Sequence, residues 1–465
     1  MKKYIYTLLI AVATLFIFGF LAWAFSLHGT IGLFRVNRLV RLVFISVALI
    51  GLVLPSLALL KIRLKPRRQV DSTRWLSVLI LVITLFGIIG IPSGFVYLNG
   101  IPSSGIESTL PQLLVADGTG AHSVPNIAVT FYTRTPTKTT LTWGKVDTEA
   151  ILYEEIADRQ HIFMLRNLEP GAEYWYQIND GRTYCFITPA TDGQHLRFAA
   201  SGDAHFGAGR SRNDLTAKML EQIADPTNGF CLFFSLGDLV EYGFRESQWS
   251  EAFRALSPTI SVIPTRFVAG NHETLFAGLG HYEDYCYPDG MDLQTGSRLW
   301  YRIDVGKVHF LIIDLEWSAE SYSALQASWL EEQLRSIPGD DWKIVMGHGF
   351  YFSSGSIING WRWYDNQETI QLLTPLFEKY GVDLVFSGHV HQLELLQKSG
   401  VTYIVCGGFG GTPEPERTYE SPSSLWYATG EYGFVEVTLD EKEANIVFRD
   451  PDYGELKKVI IPKHK

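Results

Sequence analysis

Five short motifs in this 465-residue chain carry side chains of the kind that hold divalent metal ions. They are Asp203-Ala204-His205, Gly237-Asp238, Gly270-Asn271-His272-Glu273, Gly347-His348 and Gly388-His389-Val390-His391. Carboxylates, an amide carbonyl and imidazoles are the donors that hard and borderline cations take. Singly each motif says little, since a lone histidine at a strand end more often satisfies a core hydrogen bond than binds a metal. The flanks make the set specific, because each motif directly follows an apolar run: LRFAASG, CLFFSLG, FVAG, KIVMG and VDLVFSG.

Short apolar runs bounded by glycine read as buried strands. Open α/β sheets bind ligands outside the carboxyl ends of their strands, so five such ends are expected to converge on one crevice. Helical periodicity over Asp214 to Ala224 and Ser323 to Ile337, the second ending before Pro338, makes the segment from Leu196 onward a layered α/β domain. After Val401 strands return, and GFVEVTLD with EANIVFRD predicts a hairpin. Upstream, the runs IAVTFYT, KTTLTWG, HIFMLRNL, EYWYQI and TYCFITP, separated by turn residues, predict a small β-sandwich.

The ordered set D-x-H, GD, GNHE, GH and GHxH resembles the calcineurin-like metallophosphoesterases. With a sandwich before it, the resemblance is nearest to the purple acid phosphatase branch and covers residues from about 110 to 460. The stretch Asn167-Leu168-Glu169-Pro170-Gly171, with Tyr174 and Tyr176, resembles the end of a fibronectin type III domain. The family resemblance implies that Asp203, His205 and His391 hold a first metal, that Asn271, His348 and His389 hold a second, and that Asp238 bridges them. It implies a phosphoric-ester hydrolase in which two cations about 3.5–4 Å apart clamp a phosphoryl group and generate an attacking hydroxide. His272 either protonates the leaving oxygen or stabilises the transition state, acting with Asp238 in catalysis, or else it orients Asn271.

Two positions depart from the purple acid phosphatase pattern. A tyrosine ligand is expected three residues after the bridging aspartate, where this chain has Glu241, with Tyr242 one place later. Glycine is usual where His205 stands. The first site therefore resembles that of the Asp/His metallophosphoesterases, and a pair of divalent or mixed-valence ions of iron, manganese or zinc is expected. Arg210, Arg212 and Asn213 follow the first motif, and Trp361, Arg362, Trp363 and Tyr364 follow His348. Both loops are expected near the crevice mouth, offering a guanidinium to phosphate or a ring for stacking. The other reading is a solvated loop with its aromatics packed inward.

The net charge of −10 hides an asymmetry. Residues 1–106 hold eleven of the 39 basic residues and one of the 49 acids, so the remainder carries −20. That balance excludes an extended nucleic-acid-binding surface. Three uncharged apolar stretches, about 4–25, 42–60 and 75–98, are each long enough as helices to cross ~30 Å of hydrocarbon. Between the second and third lies the cluster Lys61, Arg63, Lys65, Arg67, Arg68 and Arg74. By the positive-inside rule that loop is cytoplasmic and everything past Leu98 lies outside, although Arg35, Arg38 and Arg41 run against this. Alternatively the first stretch is a signal peptide cleaved near Ala22-Trp23-Ala24. The four cysteines (Cys185, Cys231, Cys286 and Cys406) show no metal-binding spacing, and buried thiols are expected.

The sequence thus predicts a multidomain chain. Residues 1–98 form a membrane anchor of transmembrane α-helices, 99–124 a linker, 125–190 a small all-β fibronectin III-like sandwich, and 195–465 an α/β metallophosphoesterase domain, a sheet sandwich flanked by helices. The predicted function is a multi-pass plasma-membrane phosphoesterase, its catalytic domain extracytoplasmic, with a lipid bilayer and phosphate mono- or diesters as partners. The alternative is a non-catalytic surface binding or adhesion module, which should have lost its metal ligands.

Overall fold

Seven strands lie between Gln112 and Ile187: Gln112–Val115 (β1), Ile127–Thr137 (β2), Thr140–Lys145 (β3), Thr148–Tyr153 (β4), Asp158–Leu165 (β5), Glu173–Ile178 (β6) and Thr183–Ile187 (β7), with burial alternating clearly in β5 and β6. The computed structural model describes residues 108–116, 124–191, 195–274, 278–288, 290–291, 296–358, 361–414 and 416–464. Strands β4-β3-β6-β7 form one antiparallel sheet, whereas β1, β2 and β5 belong to a nine-stranded sheet that continues far beyond the sandwich. Leu113, Val129, Phe163, Leu141, Tyr176 and Phe186 share the core between them.

The motif-bearing runs form Leu196–Ser201 (β8), Leu232–Ser235 (β9) and Thr265–Phe267 (β10), all parallel. Helices Asn213–Ala224 (α1) and Glu246–Ile260 (α2) lie between them in the chain, followed by Asn271–Thr274 (α3) and Leu279–Cys286 (α4). A second sheet gathers Tyr301–Val305 (β11), Val308–Ile312 (β12) and Trp342–Met346 (β13). After the hairpin Ile357–Ile358 (β14) and Trp361–Arg362 (β15), it continues with Leu384–Ser387 (β16), Leu393–Lys398 (β17), Val401–Cys406 (β18) and Ser424–Ala428 (β19). Phe434–Leu439 (β20), Glu443–Arg449 (β21) and Glu455–Pro462 (β22) return to the long sheet, whose order is β22-β21-β20-β8-β9-β10-β1-β2-β5.

The two large sheets pack through phenylalanines. Phe198 meets Phe310 at 5.4 Å and Phe386 at 5.9 Å, and Phe234 meets Phe310 at 4.8 Å between ring centres. Each such buried ring stabilises by about 1.5–3 kcal/mol. Met219 and Leu220 of α1 and Trp249 and Phe253 of α2 join that core. Helices Ala324–Ser336 (α5) and Gln367–Tyr380 (α6) bury Leu330, Leu334, Leu373 and Phe377 in a separate cluster with Val345 and Val385 of the second sheet. Ser323 caps α5 by accepting from the Gln326 N–H, and Gly381 ends α6 in the left-handed conformation.

β1 welds the sandwich to the rest. It runs parallel to β10, with Leu114 opposite Thr265, and antiparallel to β2. Leu113 enters the sandwich core and its neighbour Leu114 the main core. The Tyr176 hydroxyl donates to the Ser261 carbonyl at 2.7 Å, Tyr132 to that of Asp284 at 2.7 Å, and Gln112 to that of Tyr285 at 2.6 Å.

The expected fold class and location need correction. No helix among the described residues is long and apolar enough to cross a membrane. The spans expected at about 4–25, 42–60 and 75–98 lie outside the described residues. The longest described helix, α2 with 15 residues, would extend only about 22 Å and carries Glu246, Glu251 and Arg254. The architecture established is therefore predominantly β, with six α-helices among the described residues and none of them transmembrane, and a multi-pass plasma-membrane protein is not supported.

Candidate metal centre

All five motifs leave their strands into tight loops at one end of the two sheets. Asp203, His205, Asp238 and His389 have φ of 68°, 50°, 50° and 66°. A non-glycine residue in this left-handed region costs of order 1–3 kcal/mol, and such residues persist only where the surroundings hold them. Backbone bonds do so here: Asp203 N–H donates to the Gly237 carbonyl and His205 N–H to that of Asp238, both at 2.9 Å. Close approach requires glycine at several motif positions, Gly237 and Gly270 among them. A Cβ on Gly237 would lie 2.5 Å from His348 Nδ1, and one on Gly270 would strike Asp238 Oδ1.

The donors form two sets around one carboxylate. On one side His391 Nε2 lies 3.3 Å from Asp203 Oδ1 and 3.1 Å from His205 Nε2, which is 3.6 Å from Asp238 Oδ2. On the other, His348 Nε2 lies 3.2 Å from Asp238 Oδ2, 3.2 Å from Asn271 Oδ1 and 3.1 Å from His389 Nδ1. Asp203, His205 and His391 are mutually close enough to share a cation, as are Asp238, His348 and His389. A third such group joins His205 and Asp238 to His272, whose Nε2 is 3.9 Å from Asp238 Oδ2.

The hydrogen-bond roles of the rings fit metals. His205 Nδ1 meets Glu241 Oε2 at 2.9 Å, His391 Nδ1 the Thr412 carbonyl at 2.6 Å, and His348 Nδ1 the Leu236 carbonyl at 2.8 Å. Each Nδ1 must donate there, so each ring, once it has lost its second proton, presents a bare Nε2 lone pair to the centre. Two lone pairs facing at 3.1 Å, as in His205–His391, repel unless a proton or a cation lies between them. The donor set of imidazole, carboxylate and amide oxygen suits the iron, manganese or zinc expected from the sequence.

Electrostatics point the same way. Burial opposes charge on His348, but Asp238 and Asp203 outweigh it and push the ring up to about 10. Burial likewise opposes His391, and its hydrogen bond to Asp203 pushes it up to about 9. Burial and the neighbouring His348 charge drive His389 down to about 3, leaving it neutral. Burial raises Asp238, yet His348 and His272 hold it well below the ordinary carboxylate range. The site stabilises positive charge where cations would sit.

Around this centre the sequence had left roles unassigned. Glu273 accepts from the N–H groups of Gly270, Asp238 and Leu239 at 2.7–2.8 Å and so pins the shared carboxylate. Burial and the Asp238 charge raise Glu273 to about 7. Glu241, noted only as a departure, supports His205. Trp317, which the sequence did not single out, packs edge-on against His389 at 4.8 Å, while Trp363 and Phe350 stack on the same ring at 5.2 and 5.8 Å. Half-buried Trp363 is thus brought from that loop to the side of a candidate metal donor. Arg212 is exposed and makes a paired contact with Asp214 at 2.8 and 2.7 Å, and Asn213 donates to Glu251. Arg210 and Arg362 are exposed. None of these four is brought into the donor sets. Cys231, Cys286 and Cys406 are buried and Cys185 is exposed, all as free thiols.

Residues 196–393, less than half of the chain, match the family described as calcineurin-like phosphoesterase. The chain accordingly carries a calcineurin-like metallophosphoesterase domain, and purple acid phosphatases are among the proteins similar to it. A purple acid phosphatase of Glycine max is 28% identical over 314 residues, 63% of each chain. The Fe(3+)-Zn(2+) purple acid phosphatase 12 of Arabidopsis thaliana is 26% identical over 315 residues, 63% of this chain and 64% of that one. This chain therefore spans less than two thirds of the length of either relative. A purple acid phosphatase from yellow lupin (Lupinus luteus) seeds shares the fold, with a TM-score of 0.64 at 19% identity over 77% of this chain and 75% of that one.

Proposed function

We propose that this chain is a metal-dependent phosphoric-ester hydrolase with a two-cation centre, acting on phosphate mono- or diesters. The observation that carries the reading is Asp238 Oδ2 standing between two imidazole-rich donor sets. Asp203, His205 and His391 would hold one ion, Asn271, His348 and His389 the other, and Asp238 both. The similarity to a relative named for iron and zinc makes that pair the first to test. Bound there, two cations would supply the charge that clamps a phosphoryl group and the acidity that activates water. The full donor set also counts against a non-catalytic module, which should have lost it.

The chain's own residues do the rest. Asp238 is fixed on one side by Glu273 and on the other by the His272 N–H, which donates to its Oδ1 at 2.9 Å. The His272 ring donates through Nδ1 to the Glu241 carbonyl at 2.7 Å. Its side chain keeps 23% exposure, and Nε2 lies 3.9 Å from Asp238 Oδ2. With Nδ1 engaged in this way, Nε2 is the ring nitrogen left to pass a proton to a leaving oxygen.

The test is metal analysis of the loaded protein followed by hydrolysis of a panel of phosphate monoesters and diesters, on the native chain and on Asp238→Asn. Two ions bound with turnover, both diminished in Asp238→Asn, is the expected outcome. Two ions bound with no ester hydrolysed would end the hydrolase reading. A variant keeping both ions and full turnover would remove Asp238 from the shared position.

A further inference from the structure

We propose that Glu241 is a positioning residue that sets the centre through His205 while remaining outside the set of metal donors. The inference rests on the preceding reading only in taking the donor set as metal-binding. Glu241 stands three residues after Asp238, where the resemblance leads one to expect a ligand. The close donor groups comprise Asp203, His205, His391, Asp238, His272, His348 and His389, and Glu241 is in none of them.

Its contacts run to the rings instead. The carboxylate meets His205 Nδ1 at 2.9 Å, and the carbonyl of the same residue meets His272 Nδ1 at 2.7 Å. A weaker approach of 3.8 Å joins the carboxylate to His272 Nδ1 as well. The two rings stand edge to face, 4.5 Å apart. One residue thus grips two imidazoles by the same nitrogen, using its side chain for one and its main chain for the other. Both rings are left with Nε2 toward Asp238, at 3.6 and 3.9 Å from Oδ2.

A carboxylate behind a ligating histidine fixes its tautomer and increases its basicity, and losing such a partner typically costs 10–100-fold in metal affinity. Because His272 is held by the main chain, a side-chain substitution should act on His205 and its ion first. The remote set around His348 has its own supports in Leu236 and Glu273 and should be indifferent.

The experiment titrates the metal-free native protein, Glu241→Gln and Glu241→Ala with zinc by calorimetry, with thermal unfolding of the metal-free forms as a control for folding. Glu241→Ala should weaken one of two binding events about 10–100-fold and leave the other unchanged. Glu241→Gln, which keeps an acceptor oxygen without the charge, should lie between. Unchanged affinities in both variants would overturn the proposal, as would equal weakening of both events. If Glu241→Ala does not fold, the Gln variant decides on the same criterion. Native protein that binds two ions yet hydrolyses no ester would defeat the hydrolase reading alone, since the titration judges Glu241 independently.

Discussion

Ring nitrogens carry the argument at the scale of single residues. In the metal-free protein His348 and His391, pushed up to about 10 and about 9, are both protonated near neutral pH. A cation must displace those protons, so loading should release about two protons. Affinity should rise with pH until the rings are already neutral. Calorimetry in buffers of different ionisation enthalpy measures this, and release of none would mean that the rings are neutral beforehand. His272 makes a different prediction, since it donates by Nδ1 to a carbonyl and is proposed as an acid. His272→Ala should keep both ions and lose roughly 10²–10⁴-fold in turnover, less on an aryl ester, whose phenolate departs unprotonated. His389→Ala should lose metal and activity together. Rates on aryl and alkyl esters, with metal content, separate these cases; equal losses on both esters would leave His272 an orienting role. The donors were legible because their types and order are so restrictive. Glu241 and Trp317 were not, because their partners, His205 and His389, are 36 and 72 residues away and are reached through turns that spacing does not encode.

Elements explain why the donors stay put. The runs ending in the motifs are strands because they are short, apolar and stopped by glycine, and the helix read from Ser323 forms with that serine as its cap. Several strands were not read from the sequence, and two of them, β1 and β4, were missed for opposite reasons. β1 is four residues long inside a Gly-, Pro- and Ser-rich stretch read as a linker, and β4 lies at an edge, largely exposed, so it has no buried face to alternate with. The ring contacts between the large sheets hold their loop-bearing ends in place. Phe198→Ala should therefore cost about 3–5 kcal/mol. Its unfolding midpoint should fall accordingly while metal stoichiometry at low temperature stays intact, because Phe198 lies on β8 and touches no donor. A variant with an unchanged midpoint would show that this ring does not brace the two sheets.

For the molecule as a whole, composition misled and topology instructs. Apolar stretches near the N-terminus suggested membrane spans, but they lie outside the described residues, and no described helix is long and apolar enough to cross a membrane. The acidic balance of the remainder, by contrast, reflects a surface on which phosphate has no general attraction, so a local cation pair must supply it. The sandwich, read from sequence as a separate unit, shares the nine-stranded sheet with the metal-bearing strands through β1. Hydrogen exchange should show β1 and β10 amides opening together in one cooperative unit. Early, independent loss of protection in β1 would refute that. The shared strand also limits how such a gene could be shuffled. A crossover placed between sandwich and catalytic segments would cut through a sheet and not between two modules. The catalytic half inherited by such a chimera would display β10 as a raw edge, with main-chain donors and acceptors open to the next molecule. Recombination at that point should yield inclusion bodies sooner than new specificities, and successful exchanges should carry residues from β1 onward as one block.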